Sequence, residues 1–471
     1  MLARITRSIM LVCLVGAAGG GAAYADLRLV EAAKAQQWDT VGRLLVAKVD
    51  VTTSQPDGAT ALHWAAYWNE PAIVEGLLES GAQVDAENDY GATPLWTACA
   101  NRNSGIVRQL LLAGADANLG LRSGETVLMR CAQTGDPLAV EALVTHGAAV
   151  GATEPSRGQT ALMWAAANRH AEVVRVLLGH GALVDARTAT VQQLRGTGET
   201  STTSPQGATY FDAGGFTPLL FAARHGDVET ARALLEAGAA LGDTSADGNS
   251  PLVLAAISGH ELLARFLLAQ GADPNAAGAG YSALHAAVLR SQPDLVRDLL
   301  ARGANPNARL IKGTPVPRWT YQYILTAREK GATPVMLAAK YLEPEILRLL
   351  ADAGADVLIP MENGTTTLMA AVGLGLSRAT NRRSRLIAPE LVSAEWADES
   401  LVLETIQVAV KAGAASVINE IGRAGNTVLH GAARGRFQQV AAFLVEQGAD
   451  PDIPNEDGAT GREMLDLLEG S

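Results

Sequence analysis

The sequence predicts an all-α solenoid of helix-turn-helix units, stacked side by side and joined by β-turn fingers. Two markers with one period predict it. A turn-opening glycine recurs at Gly58, Gly91, Gly124, Gly158, Gly215, Gly248, Gly280, Gly331, Gly364, Gly425 and Gly458. A helix-ending Gly-Ala pair starts at Gly81, Gly114, Gly147, Gly181, Gly238, Gly271, Gly303, Gly354, Gly413 and Gly448. Most intervals are 32 to 34 residues, and a fixed period of that size marks a repeat array. Composition is the third observation. Apolar residues make up 48% of the chain and aromatic ones only 4%, which suits helix pairs filled by Ala and Leu.

One unit, Asp57 to Asn88, shows how the elements arise. Thr60 caps the first helix, whose apolar and small face is Leu62, Trp64, Ala65 and Ala66. Asn69 to Pro71 break it, and Pro71 suits the first turn of the next helix. Ile73, Val74, Leu77 and Leu78 form the apolar stripe of that second helix. Gly81 ends it, and a polar finger leads to the next glycine. Further copies read Thr93-Pro94-Leu95, Thr217-Pro218-Leu219, Thr333-Pro334-Val335, Thr60-Ala61-Leu62-His63 and Thr427-Val428-Leu429-His430. With a period near 33, these resemble the T-P-L-H-x-A signature of the ankyrin-repeat family. The resemblance spans nearly all the chain after its first 25 residues.

In chain order, residues 26–56 read as an N-terminal capping repeat and 57–188 as repeats 1–4. An insertion occupies 189–213, repeats 5–7 occupy 214–308, and a second insertion occupies 309–330. Repeat 8 is 330–361. Repeat 9 is 363–420, with an internal insertion at 376–398 that separates its two helices. Repeat 10 is 423–455, and 456–471 is a C-terminal cap. That makes about ten full repeats between caps.

Residues 1–25 differ. Arg4 and Arg7 precede a short apolar run, Ile9 to Ala18, and Ala23-Tyr24-Ala25 is a small-x-small cleavage site before Asp26. This reads as a signal peptide, because the run is too short to span a bilayer. Cys13 lies inside the run after Val12, which disfavours a lipoprotein. With the Ala/Gly/Arg-rich style, the expectation is a bacterial protein exported to the periplasm, or secreted, with no membrane insertion after cleavage. The net charge of −12 becomes −14 once Arg4 and Arg7 are removed. Such acidity argues against a nucleic-acid partner. Cys99 and Cys131 then remain, in the first helices of neighbouring repeats. Adjacent helices pack about 8–10 Å apart, so the two cysteines read as buried small fillers rather than a bridge.

Candidate chemistry is thin. His63, His285 and His430 sit at the H of T-P-L-H, and His170 and His260 in inter-helix turns. His146 and His180 precede helix-ending glycines, and His225 a turn glycine. No zinc spacing, G-x-S-x-G or Walker loop occurs, so no catalytic, metal or cofactor residue is assigned. The insertions are what the fold does not demand. Segment 309–330 carries Arg309, Lys312, Arg318, Arg328 and Lys330 against Glu329, together with Trp319, Tyr321 and Tyr323. Arg, Trp and Tyr dominate interface hot spots, so Arg318, Trp319, Tyr321 and Tyr323 are the candidate partner-binding residues. The competing reading is that these aromatics pack the loop onto its own repeats. In 376–398 and just beyond, Arg378, Arg382, Arg383 and Arg385 are followed by Glu390, Glu395, Asp398 and Glu399, which read as mutually paired or solvated. Segment 189–213, rich in Thr, Ser and Gly, reads as flexible.

The ankyrin resemblance implies a non-enzymatic protein-binding scaffold or adaptor, monomeric, without cofactor, whose partner is a protein. Two other readings stay open: an enzyme built on the insertions or an inhibitor or maturation partner of an exported enzyme, and an envelope or glycan-binding structural protein.

Overall fold

A threonine or serine opens nearly every repeat and sets its first helix. Thr93 Oγ1 accepts the Trp96 N–H at 3.2 Å, and Ser250 Oγ that of Val253 at 3.3 Å. Where histidine stands three residues later, the ring adds a second function. His63 Nδ1 accepts the Thr60 N–H at 3.1 Å, and Nε2 donates to Ala92 O of the next repeat at 2.9 Å. The acceptor role of Nδ1 fixes the tautomer. His285 makes the same reach to Ser282 and Ala332 (3.2 and 3.3 Å), and His430 to Thr427 and Ala459 (3.0 and 2.9 Å). Each of these histidines therefore caps its own helix and ties two repeats together.

The computed structural model describes residues 26–196, 208–314, 325, 329–374 and 398–469. The inner helices are Ala61–Trp68, Pro94–Ala100, Val127–Thr134, Ala161–Ala167, Pro218–His225, Pro251–Ser258, Ala283–Leu289, Pro334–Lys340, Thr367–Ala371 and Val428–Gly435. The outer helices are Pro71–Glu79, Ser104–Leu112, Pro137–Thr145, Ala171–Gly179, Val228–Glu236, Glu261–Ala269, Pro293–Ala301, Pro344–Asp352, Glu399–Lys411 and Gln438–Glu446. Arg28–Lys34 and Trp38–Val46 precede them, and Gly461–Glu469 follows. Inner packs on inner and outer on outer from end to end, without a break at the insertions. The result is an all-α solenoid around one continuous core, with Leu62, Leu95, Leu128, Leu162 and Leu219 on the inner helices at 1% exposure or less.

The fingers are tied by a repeated amide bracket. Asn118 Nδ2 donates to Gly147 O at 3.0 Å while its Oδ1 accepts the Ala149 N–H at 2.8 Å. Asn275, Asn307 and Asn419 bracket the following repeat in the same way.

Two expectations are corrected. Cys99 and Cys131 are not separate fillers but a disulfide, with Cα atoms 4.7 Å apart. The spacing of about 8–10 Å holds between helix axes. Facing Cα atoms each stand about 2.3 Å off their axis, which brings them within bridging range. Segment 189–213 is not simply flexible. Val191–Gly196 (β1) and Ala208–Ala213 (β2) pair antiparallel, with Gln193 opposite Phe211 and Leu194 opposite Tyr210. The base of this hairpin is fixed. Ala189 N–H donates to Arg157 O at 2.7 Å, and Ala246 N–H to Gly214 O at 2.9 Å. Gly214 has φ +105°, and a Cβ there would lie 1.9 Å from Ala189 O, so no other residue fits.

Segment 309–330 is anchored where it is described. Thr314 N–H donates to Leu325 O at 2.9 Å, and Leu325 and Glu329 are fully buried. Arg309 donates to Gly331 O at 3.3 Å and also reaches Pro360 O. Lys330 pairs with Glu362 at 3.2 Å. Three of the charges read as a basic loop are thus structural. Asp398 caps the helix Glu399–Lys411 by accepting the Ser400 N–H at 3.0 Å, and Glu399 accepts the Gln439 N–H at 2.6 Å. Ala23, Ala25 and most of 376–398 lie outside the described residues. Asp26 is exposed and pairs with Arg28 at 2.6 Å.

Candidate partner-binding groove

Three adjacent spaces share lining residues: the first two lie between the fingers and the inner helices, and the third between a β-hairpin strand, the finger at Ala246 and Asp247, and the start of the second insertion. The first, about 420 Å³, is lined by Glu125, Gln133, Glu154, Arg157, Trp164 and Asn168. The second, about 550 Å³, lies between the β1–β2 hairpin and the inner helices of repeats 5 to 7. It shares Ser156, Arg157 and Gln159 with the first. The third, about 470 Å³, runs from Tyr210 and Phe211 to Ile311–Thr314 and shares Phe211, Asp212, Asp247 and Thr314 with the second.

Toward the N-terminus the inner face is open and aromatic. Trp64, Trp96 and Trp164 are half-buried on the inner helices of repeats 1, 2 and 4. Trp64 Nε1 donates to Gln55 Oε1 at 3.0 Å, and Lys34 lies 5.5 Å over its ring. Tyr67 packs edge-on between Trp64 and Trp68, and Tyr67 and Trp68 are 43% and 36% exposed. Arg130 stacks 4.6 Å over Trp96 and pairs with Glu125 at 2.7 Å. Burial pushes the Glu125 carboxyl up against that pull. Burial also pushes Glu154 up. The hydrogen bonds from the Ser156 hydroxyl and from the N–H groups of Gln159, Arg157 and Ser156 outweigh it and hold that carboxyl down. The Trp164 indole N–H is buried without a hydrogen-bond partner among the described residues.

Toward the C-terminus the inner face is closed. The helices Ala283–Leu289, Pro334–Lys340 and Thr367–Ala371 are buried along their whole length. Lys340 pairs with Glu329, whose Oε1 also accepts the Tyr341 hydroxyl at 2.9 Å. A Cβ on Gly431 would lie 2.3 Å from Val372 and 2.8 Å from Leu374.

Arg318, Trp319, Tyr321 and Tyr323 lie outside the described residues, but both ends of their segment are placed. Thr314 lines the second and third spaces and is joined to Leu325. Sequence reasoning missed the half-buried tryptophans. Four of the chain's seven tryptophans, Trp64, Trp68, Trp96 and Trp164, fall on inner helices of repeats 1, 2 and 4, and that recurrence was the available signal. The histidines serve the fold. His170 Nε2 contacts Gln133 O at 3.0 Å, His260 Nε2 contacts Arg224 O at 2.9 Å, and His180 meets Glu141 at 3.1 Å. Among the described residues no His, Cys, Asp and Glu cluster could hold a metal.

The family model described as "Ankyrin repeats (3 copies)" matches residues 29–120, 98–188, 189–278 and 219–309, and that for a single "Ankyrin repeat" matches 424–456. The chain belongs to the ankyrin-repeat family. Among curated relatives, a palmitoyltransferase AKR1 from the yeast Lachancea kluyveri is 34% identical over 149 residues, covering 30% of this chain and 20% of that protein. The nuclear factor NF-kappa-B p105 subunit of Gallus gallus is 29% identical over 245 residues, covering 50% and 23%. Mouse Rabankyrin-5 is 32% identical over 140 residues, covering 29% and 12%. The chain thus spans less than a quarter of the length of these relatives. A crystal structure of the human ASB11 ankyrin repeat domain matches with 28% identity and a TM-score of 0.43, covering 52% of this chain and 98% of that one. Ankyrin repeats are generally non-catalytic modules for protein interaction, which fits an interaction scaffold. No described helix is long and apolar enough to cross a membrane.

Proposed function

We propose that this ankyrin-repeat chain is a monomeric, non-enzymatic scaffold that binds a protein partner in the bacterial periplasm. The single observation that carries the binding surface is the pair of adjacent spaces between fingers and inner helices, which share Ser156, Arg157 and Gln159 and continue the open, aromatic inner face of the first repeats. The 309–330 segment starts and ends beside these spaces, so Arg318, Trp319, Tyr321 and Tyr323 are proposed to contact the partner at their rim. Two features support the compartment. Arg4, Arg7, the apolar run and Ala23-Tyr24-Ala25 resemble an export signal. The Cys99–Cys131 disulfide suits an oxidising compartment.

Cross-linking in intact cells, followed by periplasmic extraction and N-terminal sequencing, tests both parts. The expected outcome is a chain starting at Asp26, recovered with a protein partner. Substituting Arg318, Trp319 and Tyr321 together by Ala should weaken partner recovery about tenfold or more with an unchanged melting temperature, since one hot spot is worth about 2 kcal/mol. A cytoplasmic chain retaining residues 1–25 sinks the compartment. Recovery on cell-wall sacculi without a protein partner sinks the protein-binding reading.

A further inference from the structure

The middle space is a channel walled by the hairpin, and its chemistry selects a ligand. Strand alternation turns Gln193 and Phe211 of the hairpin toward the inner helices, while Leu194 and Tyr210 point away and are 60% and 69% exposed. The same space is lined by Arg224, Ser258 and Arg290, at the ends of inner helices, and by Asp247 and Asn249 on a finger. The described part of the hairpin therefore forms one wall of the space and the inner helices of repeats 5 to 7 form another, and a narrow ligand such as an extended chain suits the gap between them.

Phe216 and Phe221 stand 5.3 Å apart in the channel wall, and Phe211 faces them from the hairpin. Within a chain of net charge −12 the charged lining is locally basic. Arg290 is held by Ile257 O at 2.7 Å. Arg157 and Arg224 are exposed, and neither forms a salt bridge among the described residues. Arg224 only leans on Phe216, at 5.8 Å from its ring. Both acids, Asp212 and Asp247, also line the space, and Asp247 accepts the Ser245 hydroxyl at 2.5 Å; Arg157, Arg224 and Arg290 outnumber them. Two unpaired guanidinium groups beside an aromatic wall match a carboxylate next to an aromatic side chain, because Arg binds carboxylate by two parallel N–H donors.

We propose that this channel binds an extended acidic–aromatic peptide segment, threaded along the β1–β2 hairpin with a carboxylate between Arg157 and Arg224. The volume of about 550 Å³ lies within the usual range for ligand pockets. It shares Ser156, Arg157 and Gln159 with the neighbouring space of about 420 Å³, which a chain can reach and a small acid leaves empty. The inference rests on the reading of the chain as a protein-binding scaffold.

Fluorescence anisotropy of the full chain with an N-terminally labelled octapeptide, Ser-Gly-Glu-Phe-Glu-Leu-Ser-Gly, tests it. Replacing both glutamates of the peptide by glutamine should weaken binding about tenfold. The double variant Arg157→Gln, Arg224→Gln should lose the same factor for the acidic peptide, lose nothing for the neutral one, and keep its melting temperature. Phe211→Ala should weaken both peptides. No binding of the acidic peptide, or binding indifferent to both arginines, overturns the inference. So does a free Glu-Phe dipeptide that binds as tightly as the octapeptide. If the octapeptide fails while cross-linking still recovers a protein partner, the inference falls and the scaffold reading stands. If it binds through the arginines while no protein partner is recovered, the scaffold reading falls instead.

Discussion

The inner helices of the first four repeats and those after Ala283 share one frame yet end at different depths. Four residues after the capping Thr or Ser, the first group has Trp64, Thr97, Arg130 and Trp164, all half-buried. The second has Ala286, Leu337, Ala370 and Gly431, all buried. The frame fixes where this position points, and its size and neighbours decide what it does. Trp64, Arg130 and Trp164 project toward the groove and stay half-buried, whereas Leu337, also large, is fully buried, so its neighbours decide there. Small residues let other chain segments close in, as Val372 and Leu374 do on Gly431. The two ends are also secured differently. A disulfide joins the inner helices of repeats 2 and 3, while a buried ion pair joins the end of the second insertion to repeat 8.

The largest test of this contrast removes the buried pair. Glu329→Ala leaves Lys340, 7% exposed, without its carboxylate, and should cost about 3–5 kcal/mol in denaturant unfolding. Adding Lys340→Met should restore most of it. A loss no larger than that of a surface substitution would show that the closed half is not pinned there. At the open end, Cys99→Ala with Cys131→Ala should cost about 2–4 kcal/mol, seen as earlier hydrogen exchange in repeats 1 to 3. Uniform loosening along the array would break the comparison.

Acid should act next. Burial lowers His285 to about 4. As pH falls below about 6.5, the unfolded chain takes up a proton that the native ring refuses, so stability falls until about pH 4, by up to about 3 kcal/mol. His63 is lowered by burial in the same sense. Melting temperatures measured from pH 7 to pH 4 check the sign, and a flat profile would contradict it. Tyr67→Ala should be the mildest change. Its ring is 43% exposed and makes two edge-on contacts, so about 1 kcal/mol is expected, with any partner seated on the open face lost more strongly than stability.

The sequence carried the repeat period, the caps and the helix order because Thr93, Pro94 and Gly114 act within one unit, where spacing is physics enough. What lay between units was less legible. The bridge was missed because axis distance was taken for Cα distance at Cys99 and Cys131. The hairpin was missed because Ala208–Ala213 holds only one short run of strand-forming residues, Thr209 to Phe211, after a Ser/Thr/Gly tract. Trp64 looked like an ordinary member of an apolar face, since periodicity does not separate core from groove. Glu329 looked like a stray acid in a basic loop because its partner, Lys340, sits on the next helix.

The bond between Cys99 and Cys131 also makes the protein a ruler. A pull on the two ends of a solenoid runs through its repeats in series, and each releases its slack as it opens. Here the load crosses directly from one sulfur to the other, and the 32-residue separation between them yields no length. At about 3.4 Å per residue, roughly 110 Å of contour stays locked away at full extension. It appears only when a reductant cuts the link.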